Sequence, residues 1–89
     1  MPSETPLLPF DAVIQAALAL DDALDHGLFP QARHQTRVVA LRADGAGHPQ
    51  IAACAHALRG ILERSIRPAP ESWAAAREDL HRAIDDALM

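Results

Sequence analysis

The chain has no lysine, no asparagine and no tyrosine, and its only aromatic residues are Phe10, Phe29 and Trp73. Strands draw on β-branched and aromatic side chains, whereas alanine and leucine favour helix. Nineteen of the 89 residues are alanine, so the composition points to an all-α fold. A single cysteine, Cys54, excludes an internal disulfide and fits a reducing compartment. No stretch approaches the roughly 20 apolar residues needed to span a bilayer. The opening MPSETPLLPF lacks a basic segment and a continuous apolar run, so no signal peptide is read there. A cytoplasmic protein with no membrane contact is expected. All eight positive charges are arginine, a pattern associated with GC-rich bacterial coding. The formal net charge of −4 argues against general affinity for nucleic acid.

Proline and glycine divide the chain. Residues 1–9 contain Pro2, Pro6 and Pro9 and read as a flexible leader. The remainder, 10–89, reads as one domain, since a chain this short supports a single core. Four helices are expected, over about 10–26, 30–43, 49–66 and 70–88. Gly27 is placed to close the first in a left-handed conformation. Pro30, Pro49 and Pro70 suit the opening turns of the other three, and Pro68 stops the third. Short connections imply antiparallel neighbours, hence an up-down four-helix bundle.

Helical periodicity supplies an apolar stripe to most segments. The first helix carries Phe10, Val13, Ala17, Leu20 and Leu24, widened by Ile14 and Leu18. The third carries Ile51, Cys54, Leu58, Ile61, Leu62 and Ser65. The fourth carries Trp73, Ala76, Leu80, Ala83, Ile84 and Ala87. The second is weakest, with Val38, Val39 and Leu41 as its only large apolar residues, and is expected to be the most exposed.

The first helix has a second flank of small residues: Ala12, Ala16, Ala19 and Ala23. Such a ridge lets another backbone approach closely. A helix apolar on two sides is usually central or at a subunit contact. In a four-helix monomer no helix is surrounded, so a two-fold homodimer with this ridge at its interface is expected. The third helix shows a similar ridge, Ala53, Ala57 and Gly60. A mid-helix glycine costs about 1 kcal/mol relative to alanine, so a packing reason is expected for Gly60.

Charge follows an acidic, basic, acidic order. Residues 1–28 hold acids and no arginine, the arginines cluster in 29–68, and acids dominate again in 69–89. The hexapeptides ALDDAL (19–24) and AIDDAL (83–88) place aspartates near two helix C-termini, where the helix dipole disfavours them. The flanking residues of these two segments do not align, so they give no support for a duplication. Compensation of the aspartates by arginines of the middle helices is expected. Asp21 falls inside the apolar arc of its helix and is the candidate for a buried ion pair, with arginine as the natural partner.

Metal-like spacings occur at Asp22–His26, His81–Asp85 and Glu78-x-x-His81. A di-iron bundle requires two Glu-x-x-His motifs and further inward carboxylates, and only one motif is present. Cys54 sits on the core stripe without a neighbouring base to activate it. No catalytic, cofactor or metal site is therefore expected. The reading that remains is a non-enzymatic protein-protein interaction module, of the regulator, adaptor or immunity-type class. Its candidate partner-binding residues are Arg33, His34, Arg37 and Arg42 on the second helix, with the acidic ends of the first and fourth helices as further candidates. The alternative is a dimeric DNA-associated regulator using the same basic face, and the remote alternative is a metal-binding bundle.

Overall fold

The structure is a computed structural model and describes residues 9–89. The leader expected over residues 1–9 lies outside the described residues, apart from Pro9. Four helices follow in order: α1 Pro9–Asp25, α2 Phe29–Gly45, α3 Pro49–Glu63 and α4 Pro70–Leu88. There is no strand among the described residues. The fold is an all-α four-helix bundle.

The first two connections are built alike. Gly27 (φ +68°) and Gly47 (φ +79°) adopt the left-handed conformation that glycine enters without a Cβ clash. Gly27 N–H donates to the Leu24 carbonyl and Leu28 N–H to that of Ala23. Gly47 N–H donates to Asp44 and His48 N–H to Ala43 in the same pattern. These are paired Schellman closures, which satisfy the last carbonyls of each helix. A proline in the opening turn starts α2, α3 and α4, none of which has a side-chain N-cap bond. Its fixed φ and missing N–H suit a position where no donor is needed.

Contacts along the full helix lengths define the direction of each neighbour. Arg42 Nη1 donates to the Ala12 carbonyl at 3.1 Å, joining the end of α2 to the start of α1. Arg33 Nε donates to the Leu62 carbonyl at 2.8 Å, joining the start of α2 to the end of α3. Gln50 and Cys54 of α3 line a cleft with Asp86, Ala83 and Asp79 of α4. The topology is therefore up-down-up-down.

One core runs through all four helices. Val13, Leu20, Val39, Ile51, Leu58, Leu62 and Leu80 are among its buried members. In α2, however, the buried positions are Ala32, Thr36, Val39, Ala40 and Ala43, while Leu41 is exposed. Contrary to expectation, α2 is not the most exposed helix: it buries about as large a share of its residues as α1 and α3, and α4 buries the smallest share. The small side chains of α2 let it pack closely between α1 and α3. Thr36 is the buried polar residue, and its hydroxyl donates to the Arg33 carbonyl at 2.6 Å.

The alanine ridge of α1 also has a different role from the one expected. Ala16 and Ala23 are buried and Ala12 is half-buried within a single chain; only Ala19 is exposed. The ridge is occupied by the chain's own bundle, on the side where Arg42 of α2 reaches Ala12. Ala19 is the member of the ridge that stays exposed. The α3 ridge faces outward: Ala53, Ala57 and Gly60 are exposed, and a Cβ on Gly60 would meet nothing within 4 Å. Gly60 has no packing reason. Gly60→Ala is expected to stabilise the fold by about 0.5–1 kcal/mol, through helix propensity and the lost freedom of the unfolded chain. An unchanged or lower urea midpoint would contradict this.

Candidate functional site

Three helix pairs approach closely, α1–α2, α2–α3 and α3–α4; the α1–α4 seam that would complete the ring is not among them. The facing side chains explain the difference. Alanines line much of the α1–α2–α3 contacts, whereas the seam carries Ile14, Leu18, Asp21 and Asp25 on α1 and Arg77, His81, Ile84 and Asp85 on α4. Long side chains hold backbones apart.

One stretch of the seam is closed by charge. His81 Nε2 donates to both carboxylate oxygens of Asp21, at 2.9 and 2.8 Å; a carboxylate can only accept, which places a proton on that nitrogen. One turn along, Arg77 Nη1 donates to Asp25 Oδ1 at 2.8 Å. Hydrogen bonding to Arg77 holds the Asp25 carboxyl below its ordinary pKa, with the guanidinium charge adding to the effect. The same guanidinium lies 5.4 Å from the centre of the Trp73 ring, within the range for cation–π attraction. Asp21 is half-buried as its phase implied, but its partner is His81, not an arginine. The up-down order sets α1 beside α4, so the α1 acids reach His81 and Arg77 instead of the arginines of α2 and α3.

The next stretch is open. A cleft of about 240 Å³ is lined by Ile14, Ala17, Leu18, Asp21, His81, Ile84 and Asp85. Its floor is apolar, with Ala17 and Ile84 buried. Leu18 on its wall is 63% exposed, and Leu88, one turn beyond Ile84, is 60% exposed. The cleft is bordered by acid on both sides. Asp11 and Asp22 lie two turns before and one turn after Leu18, on the same flank of α1. Glu78 and Asp85 flank His81 on α4. All four carboxylates are exposed.

The four basic-face candidates divide. Arg33 is half-buried and bonds the Leu62, Ser65 and Ile66 carbonyls at the end of α3. Arg42 bonds the Ala12 carbonyl. His34 and Arg37 are exposed. Two of the four arginine-face residues are therefore engaged within the molecule. Neither aspartate at the end of α4, Asp85 or Asp86, is among the ion-pair partners found in the described residues.

The other polar pairs are local. His26 Nδ1 donates to the Asp22 carbonyl at 2.8 Å and lies 3.4 Å from its carboxylate. The carbonyl bond, then the carboxylate charge, raises the His26 pKa. Arg59 bonds Glu63 at 2.7 Å within α3. Cys54 is half-buried, and burial followed by the charge of Asp79 raises its thiol pKa, opposite to what a nucleophile needs. Among the described residues, no three His, Cys, Asp or Glu side chains converge as a metal site would require. Among the described residues, no helix is long and apolar enough to cross a membrane.

In the sequence the residues of the seam belong to separate features. Asp21 is a carboxylate inside an apolar arc, His81 is half of a metal-like spacing, and Leu18 widens a core stripe. Their shared helical level becomes visible only when α1 and α4 are set side by side. Comparison of the chain with protein-family models, with curated proteins and with solved structures finds no match to any of them.

Proposed function

We propose that the protein is a non-enzymatic module that binds another protein through the α1–α4 face, in the manner of a regulator, adaptor or immunity-type partner. The observation that carries this reading is the open part of the seam, where Leu18 is exposed beside an apolar floor, with exposed Leu88 one turn beyond Ile84 on α4. Exposed apolar surface rimmed by polar groups is characteristic of interaction sites, and a groove between two helices is a common receptor for a third. The basic face of α2 gives weaker support, because Arg33 and Arg42 are bonded to backbone carbonyls of the same chain. The DNA-regulator alternative relied on those arginines and is weakened with them.

Site-specific photocrosslinking in cells tests this. A photoreactive residue at Leu18 or Leu88 is expected to form adducts with the same non-self protein, identified by mass spectrometry of the joined peptides. The same probe at Leu41, on the opposite α2 surface and 75% exposed, is expected to give none. Adducts with a second copy of the chain, adducts at Leu41 in place of Leu18, or none above background would each overturn the proposal.

A further inference from the structure

We infer that the α1–α4 cleft takes an amphipathic helix of a partner protein whose apolar stripe is flanked on both sides by lysine or arginine. This rests on the protein-binding reading above and specifies the chemistry of the occupant. The cleft has an apolar floor and wall, formed by Ile14, Ala17, Leu18 and Ile84. An occupant must supply apolar anchors, and helical anchors recur at i, i+3, i+4 and i+7.

The rims supply the second requirement. Asp21 and Asp85 line the cleft, and helical phase sets Asp11 and Asp22 on the outer flank of α1 and Glu78 beside Asp85 on α4; Asp11, Asp22, Glu78 and Asp85 are exposed. His26 lies beside Asp22 and His81 is bonded to Asp21, whereas Asp11, Glu78 and Asp85 are not among the ion-pair partners found in the described residues. α1 contains no arginine. Arg77 is bound to Asp25, and Arg82 turns to Asp79 at 3.4 Å. A helix in the cleft therefore meets negative potential on both flanks of its apolar stripe. Complementary charge would favour its capture and fix its register, whereas like charge would repel it.

The same rims disfavour the other occupants. A second copy seated face to face would bring carboxylates against carboxylates. Residues 1–8 of the chain carry Glu4 and no base. An anionic lipid surface would be repelled.

The test uses the full-length protein and three synthetic helical peptides. One has a leucine stripe flanked by lysines, the second replaces the lysines with glutamates, and the third is a scramble of the first with the same composition. The leucine–lysine peptide is expected to bind, with amide shifts confined to α1 and α4 around Leu18, Asp21, Ile84 and Asp85. Binding should weaken with added salt, as expected for exposed charge pairs. Leu18→Gln is expected to reduce affinity. Replacing Asp11 and Asp22 with asparagine, Glu78 with glutamine and Asp85 with asparagine should reduce it by about tenfold or more.

The glutamate peptide tests the charge requirement on unmodified protein, so the result does not depend on the multiple variant folding. Equal binding of the glutamate or scrambled peptide, shifts centred on α2, or no binding of the lysine peptide at millimolar concentration would overturn the inference. Crosslinks from Leu18 to a non-basic segment of another protein would also overturn it, while leaving the broader protein-binding reading intact. Absence of any crosslink from Leu18 or Leu88 to another protein would remove that reading as well.

Discussion

Leu20→Ala is expected to lower the unfolding free energy by about 3 kcal/mol, within the range of about 2–5 kcal/mol seen for buried leucines. Leu20 is fully buried, at the centre of the α1 core stripe. A domain of this length has about 4–13 kcal/mol in total, so the variant loses a large share. Leu18, two positions away on the same helix, is 63% exposed. Leu18→Ala is expected to change stability by less than about 0.5 kcal/mol. Urea unfolding of both variants at two protein concentrations measures the contrast. A large, concentration-dependent loss at Leu18 would show that a second copy covers it, contrary to the seam reading. A small loss at Leu20 would mean that α1 does not pack as described.

Arg33→Ala is expected to cost about 2 kcal/mol. The guanidinium fork spans the end of α3, with Nε donating to the Leu62 carbonyl at 2.8 Å and Nη2 to those of Ser65 at 2.6 Å and Ile66 at 3.0 Å. The last carbonyls of a helix have no partner within it. The Leu62 bond is partly shielded from water, and a hydrogen bond from a charged donor contributes about 1.5–3 kcal/mol. The outer two bonds are exposed and add less, because water can replace them. At about 4–8 °C per kcal/mol for a small domain, the melting temperature should fall by roughly 8–16 °C. Arg33→Lys is expected to recover less than half of the loss, since an ammonium has no planar fork to divide among three carbonyls. An unchanged melting temperature in the alanine variant, or full recovery with lysine, would remove this role.

These two residues also separate what was legible in the sequence from what was not. The burial of Leu20 follows from helical periodicity, because the apolar stripe of α1 has one centre and Leu20 lies in it. The role of Arg33 does not follow from any local pattern. It appeared as a surface charge on a weakly apolar helix, and its acceptors are about thirty residues away in sequence. Leu18 shows the limit of periodicity from the other side. It lies at the edge of the stripe, and whether an edge residue is covered depends on how near the next helix stands.

Local chemistry determined the four helices and their direction. Gly27 and Gly47 close α1 and α2 because only a residue without a Cβ enters the left-handed turn cheaply. Pro30, Pro49 and Pro70 lie in opening turns because a fixed φ and a missing N–H are tolerated there. The short connections then impose antiparallel order. Tertiary structure alone decided that the small residues of α1 and α2 meet inside one chain, that Asp21 finds His81, and that the α1–α4 seam stays partly open between acidic rims. Each of these depends on the distance between two helices remote in sequence. That distance is set by the combined size of the facing side chains, which no single segment specifies.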